Sequence, residues 1–220
     1  MAAVFASHGS QVRLAARRRE TLGQAGQRIA RIAGDAASRI TTTTDVAEAA
    51  DEAELVVETI SEELEAKRAV LLAAERSAPG AILASNTSSL PLEAIAEGLE
   101  RPGRFAGLHW LNPPELVELV EVVGAGRTEP SVLSALAAWM GALGKAPIVL
   151  PHQVPGFVVN RLQYALLREA FALVDQGVCT FEDVDRALTR GLGARWAAIG
   201  PFETMDLGGL DVFAAVAKNL

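Results

Sequence analysis

The chain has 220 residues, enough for one large domain or two small ones, and half of them are hydrophobic, ample for a packed core. With 20 basic and 27 acidic residues its formal charge is -7, which argues against a general nucleic-acid binder. A single cysteine, Cys179, excludes an intrachain disulfide; His8, His109 and His152 are too scattered for a metal motif, so no metal site is expected, and no apolar run reaches the roughly 18 residues of a membrane span.

The first residues hold Arg13, Arg17, Arg18 and Arg19 and no acid before Glu20, a composition shared with organelle presequences. The apolar run Ala2–Ala6 is too short for a secretory signal, and the chain reads as cytoplasmic. Ala2–Ser7 is predicted to be the end of a helix, stopped by Gly9 in a left-handed turn. Gln11–Ala15 follows as a strand, Arg19–Ile32 as an amphipathic helix, and the β-branched run Arg39–Thr43 as a second strand. Asp45 suits an N-cap for a helix over Val46–Ala50. Leu55–Thr59 and Ala81–Ala84 are short buried strands on either side of a helix over Glu62–Ser77, and Pro91 sits near the first position of another helix. Phe105–His109 and Val117–Val123 are strands joined through a Pro-Pro turn; a helix over Ser131–Leu143 and a strand over Ala146–Leu150 complete the series.

Strands alternating with helices indicate an α/β fold, a Rossmann-type doubly wound sheet. The pattern changes at Pro151. A long helix is expected over Phe157–Gln176, a second over Phe181–Arg190 capped by Thr180, and a third over Leu210–Asn219, so an all-α C-terminal domain follows. The division falls between residues 152 and 153.

Four side chains stand out. If the strands before and after the Pro-Pro turn pair around Glu115, His109 faces Glu121. A carboxylate beside an imidazole fixes its tautomer and makes a competent base, or the two form a structural buried ion pair; spacing leaves both open. Asn86, Thr87, Ser88 and Ser89 follow a strand closely, where ligands bind in open α/β sheets, although Ser88 or Ser89 could equally cap the next helix. Asn160, in the first turn of its helix, is either a substrate contact or a satisfied core amide. Glu58, at another strand end, reads by position as a solvated loop acid. Gly191, Gly193, Gly200, Gly208 and Gly209 lack the strand-turn-helix setting of a phosphate loop and punctuate helices, while Trp196 and Met205 read as packing residues.

In order, Ser85-Asn86-Thr87-Ser88-Ser89-Leu90, Gly107-Leu108-His109-Trp110-Leu111-Asn112-Pro113-Pro114, Leu119–Val123 and Pro155–Leu162 resemble the 3-hydroxyacyl-CoA dehydrogenase family over nearly the whole chain. The resemblance implies a dinucleotide-binding domain, here residues 1–152, and a helical dimerising domain, residues 153–220. It implies NAD(P)-dependent oxidation of an L-3-hydroxyacyl-CoA to the 3-keto form, a reaction of fatty-acid metabolism, by a homodimer whose only other partner is its small-molecule substrate. Carried over by motif, His109 is the base, Glu121 its orienting carboxylate, and Ser88 and Asn160 the substrate contacts; Glu58 and Asn86 lie near the nicotinamide. The run Gly191–Met205 is closer to the branch that includes L-gulonate 3-dehydrogenase and lambda-crystallin, since Ala198-Ile199 stands where acyl-CoA members carry Pro-Met.

Three departures qualify these expectations. No Gly-x-Gly-x-x-Gly occurs, and Met1–Ala6 matches the helix after that loop, so the first strand of the sheet is expected to be missing through a misassigned start or trimming. The acid that would bond a ribose hydroxyl is replaced by Ala16, followed by Arg17, Arg18 and Arg19, which suit a 2′-phosphate and predict use of NADP at least as well as NAD. The segment Arg17–Arg39 is too short for the helical insert that clamps CoA in the family. Alternatives are therefore a dehydrogenase of a free 3-hydroxy acid such as L-gulonate, or a non-catalytic structural or fragment form.

Overall fold

The computed structural model describes residues 1–219. By its internal contacts the chain divides into two compact units, Met1–Arg161 and Leu162–Leu220.

The first unit is α/β. Its elements in order are α1 (Ala2–Ser7), β1 (Val12–Ala15), α2 (Arg19–Ala33), β2 (Ile40–Thr43), α3 (Val46–Ala50), β3 (Leu55–Glu58), α4 (Leu64–Ser77), β4 (Ile82–Ser85), α5 (Leu92–Ile95), β5 (Phe105–Trp110), β6 (Leu119–Gly124), α6 (Pro130–Ala142) and β7 (Ala146–Leu150). Several ends have plain chemical causes. Gly9 takes φ +95° after α1, the Asp45 side chain accepts from the Ala47 N–H at the start of α3, and Pro130 opens α6 where no N–H is needed.

The strands form two sheets. β1 and β2 pair in parallel on their own; the other five lie in the order β3-β4-β5-β6-β7. β3, β4 and β5 are parallel, β6 runs antiparallel to β5, and β7 is parallel to β6. Alternation along the strands covers both faces of the larger sheet. Leu83, Phe105 and Val123 join the apolar layer of α4 and α5, whereas Ile82, Ala84, Ala106, Leu108, Val120 and Val122 join that of α1 and α6.

The long helix α7 (Val159–Asp175) begins at the end of the first unit. It starts two residues later than periodicity suggests, because Gly156 (φ +77°) and Phe157 (φ +49°) are left-handed. The second unit is helical, with α8 (Phe181–Ala187), α9 (Gly193–Trp196), α10 (Pro201–Gly208) and α11 (Leu210–Ala217). Thr180 and Asp183 form a reciprocal capping box at α8. The helix expected over Phe181–Arg190 passes into a π-helical turn over Leu188–Leu192, and helices α9 and α10 lie where the sequence shows little beyond punctuating glycines. Gly193 starts α9 and Gly200 caps α10.

Candidate active site

Parallel pairing sets the carboxyl ends of β3, β4 and β5 side by side: Glu58 is level with Ser85, and Ser85 with Gly107, two residues before His109. Four of the residues singled out by sequence, His109, Glu121, Ser88 and Asn160, all fall within Met1–Arg161.

His109 and Glu121 are direct cross-strand partners in the β5–β6 pair. The imidazole Nδ1 lies 2.7 Å from Glu121 Oε2. The other carboxylate oxygen, Oε1, accepts from the backbone N–H groups of Val158 and Val159 at 2.8 and 3.1 Å. The left-handed pair Gly156-Phe157 turns these two N–H groups toward the acid, and a non-glycine residue in that region is strained backbone of the kind that clusters at functional sites. Phe157 is fully buried and sets its ring edge-on to His109, 5.4 Å between centroids. Burial pushes the Glu121 carboxyl up, but the hydrogen bonds from His109, Val158 and Val159 and the imidazole charge outweigh it, holding the group below the usual carboxylate range. In the neutral ring, an ionised Glu121 selects the tautomer with its proton on Nδ1, which leaves the Nε2 lone pair to accept. Nε2 has no protein partner among the described residues.

The Ser88 loop is organised by groups that the sequence did not mark. Thr87 Oγ1 accepts from the N–H groups of Ser89 and Leu90 at 3.4 and 3.0 Å. Neither Ser88 nor Ser89 caps α5, which corrects that alternative: Pro91 holds the N-cap position, and Gln153 Oε1 accepts from Leu92 N–H at 2.6 Å. Glu62 Oε1 accepts from Ser88 N–H at 2.7 Å. The Ser88 hydroxyl therefore has no protein partner among the described residues, and its carbonyl lies 3.5 Å from Asn160 Nδ2.

Glu58 is not the solvated loop acid that its position suggested. It is 2% exposed and pairs at 2.9 Å with Lys67 of α4, itself 1% exposed. Ser85 Oγ and Ile60 N–H also donate to it, each at 2.6 Å. Asn86 Oδ1 accepts from Trp110 N–H at 2.8 Å, tying the ends of β4 and β5 together. Ala16 follows β1, its N–H donating to Thr43 carbonyl, and Arg17 beside it is exposed. Lys67, Glu62, Ser85 and Phe157 are the members that sequence reasoning missed. A lysine on an amphipathic helix gives no sign of burial, but an acid or lysine close after a strand end is the signal that could have flagged them.

Comparison with known proteins identifies the family. Residues 1–154 match the family model for the 3-hydroxyacyl-CoA dehydrogenase NAD-binding domain, and residues 156–220 that for its C-terminal domain. An L-carnitine dehydrogenase of Streptomyces griseus is 40% identical over 80% of this chain and 53% of its own length. The mitochondrial hydroxyacyl-coenzyme A dehydrogenase of Homo sapiens is 41% identical over 79% of this chain and 54% of its own. A solved structure of 5-formyl-3-hydroxy-2-methylpyridine 4-carboxylic acid 5-dehydrogenase, an NAD+-dependent dismutase, superposes with a TM-score of 0.91 at 31% identity, over 99% of this chain and 74% of that one. The chain spans about half the length of the curated relatives it matches. With both of its halves matched in order, and the imidazole–carboxylate pair seated between β5 and β6, the chain belongs to the 3-hydroxyacyl-CoA dehydrogenase family.

Proposed function

We propose that the protein oxidises the 3-hydroxyl of an L-3-hydroxyacyl-CoA to a ketone, with His109 as general base. The observation that carries this reading is the buried His109–Glu121 pair, its Nε2 left free on the side away from the acid. Nε2 takes the hydroxyl proton while Glu121 stabilises the imidazolium that forms. The free Ser88 hydroxyl and Asn160 are the assigned contacts to the substrate oxygens. NAD or NADP, when bound, supplies the acceptor for the hydride that leaves C3. The residues present suit that cofactor at two places: the carboxyl end of β1, where Ala16 and Arg17 lie, and the ends of β3 and β4, where Glu58 and Asn86 lie. In this reading residues 1–152 carry the cofactor, and the exposed Arg17, Arg18 and Arg19 admit a 2′-phosphate.

A second reading, oxidation of a free 3-hydroxy acid, is favoured by one specific feature. Between β1 and β2 there is only α2 and a short 3-10 turn, Gly34–Arg39, with no further helical insert to clamp CoA. The C-terminal helices support a homodimer, since Phe171, Phe181, Phe202 and Leu207 are all exposed. A cytoplasmic location completes the proposal, consistent with the free Cys179.

The test is turnover with 3-hydroxybutyryl-CoA and with L-carnitine and L-gulonate, each with NAD and NADP. The expected result is thioester oxidation that falls by roughly a thousandfold in His109→Gln, with NADP used at least as well as NAD. Equal turnover by His109→Gln would remove the base from the mechanism. Turnover of the free acids alone would select the second reading.

A further inference from the structure

Glu62 lies in the turn between β3 and α4 and gathers the Ser88 loop onto one oxygen. Its Oε1 accepts from Thr87 Oγ1 at 2.7 Å, Ser88 N–H at 2.7 Å, Ser89 N–H at 3.2 Å and Ser89 Oγ at 3.4 Å. Its Oε2 lies 3.0 Å from Lys67 Nζ. The same ammonium bonds both oxygens of Glu58, at 2.9 and 3.1 Å, and the Ile60 carbonyl at 3.2 Å. A continuous polar chain thus runs from the last residue of β3, through a buried lysine, to the backbone of Ser88.

Helix capping does not account for it. The N-cap of α4 is Glu63, which makes no side-chain cap bond, and Glu62 lies outside the helix. Charge does account for it. One ammonium neutralises one of two carboxylates, and the remaining negative charge falls on the N–H dipoles of Ser88 and Ser89. Those dipoles fix the backbone at residues 88 and 89, and with it the direction of the Ser88 hydroxyl. Asn160 meets the Ser88 carbonyl, so both ends of the same residue are held.

We propose that Glu62, anchored by Lys67, is a positioning residue that aims Ser88 at the substrate. This rests on the dehydrogenase reading above for what Ser88 touches, but not for the clamp itself. Burial pushes the Glu62 carboxyl up, while its hydrogen bonds from Thr87 and Ser88 and the Lys67 charge outweigh that and keep it ionised.

The experiment has two arms. In the first, amide hydrogen exchange is followed on the full chain without cofactor. Glu62→Ala is expected to speed exchange at Ser88 and Ser89 by about tenfold, leaving Ile82–Ser85 unchanged, and Glu62→Gln, which keeps an acceptor oxygen, to restore most of the protection. Lys67 retains Glu58 in both variants, so folding is expected to survive. In the second, the Glu62→Ala, Ser88→Ala and double variants are compared in turnover. The double variant should be no slower than Ser88→Ala alone, with the pH profile of kcat unmoved because His109 is untouched. Unchanged exchange at Ser88 and Ser89 overturns the proposal whatever the activity. Faster exchange with multiplying kinetic losses overturns the action through Ser88. If the unmodified protein turns over no substrate, the dehydrogenase reading fails, and the exchange arm alone decides the clamp.

Discussion

The two units differ sharply in where their apolar side chains lie. Among the described residues, every buried hydrophobic side chain falls in Met1–Arg161, and the helices α7 to α11 contain none. In the second unit Tyr164, Phe171, Phe181 and Leu210 expose about three-fifths of their surface, and Phe202 exposes 80%. The first unit is thus ordered by its own two-faced core and by ion pairs sealed within it. The second is ordered by local devices, the capping box of α8 and the Arg186–Asp183 pair, on helices too short to be stable alone in water. The lesson is that the candidate site lies where the chain supplies its own burial, whereas the C-terminal helices leave their large apolar side chains exposed.

The contrast can be broken most forcefully at Glu121. Glu121→Ala strands a buried imidazole and the N–H groups of Val158 and Val159, and is expected to cost the first unit about 3–5 kcal/mol in urea unfolding. A loss below about 1 kcal/mol would mean that the sealed pair contributes no more than a surface pair does. Acid is the next lever. Glu121 and Glu62 are held below the usual carboxylate range when folded, so the unfolded chain binds more protons. Their contribution is full above the ordinary glutamate pKa of about 4.3 and is lost as pH falls below it. Asp183 is lowered too, by its bonds to Thr180, but it lies in solvent, where screening blunts the effect. Hydrogen exchange at falling pH should therefore show the first unit loosening before α8. The smallest effect belongs to Phe202→Ser. For an isolated chain the change is within about 0.5 kcal/mol. In sedimentation it should shift a homodimer toward monomer; no shift would leave this side chain outside any interface.

Much of this was legible in the sequence because it follows from short-range rules. Asp45 before Val46, Thr180 before Phe181 and the apolar runs of β4 to β6 announce their elements. The twelve-residue spacing around a Pro-Pro turn placed His109 opposite Glu121. What was not legible depends on contacts distant in sequence. Lys67 looks like any polar residue on α4 until the strand it packs against shows Glu58 waiting for it. Glu62 reads as the beginning of a helix, and only the return of the chain at Ser88, 26 residues later, gives it four donors. Phe157 fits helical periodicity and is pulled out of it by the two N–H groups that Glu121 claims.

That last arrangement makes one carboxylate answer to two events. One of its oxygens meets the Nδ1 of an imidazole, and the other holds the N–H groups that open α7. Because both oxygens belong to one planar carboxylate, whatever loosens that turn frees the acid to rotate, and the imidazole it orients turns with it. His109 and the residues that open α7 thus share a single anchor, and neither can be displaced without unseating the other.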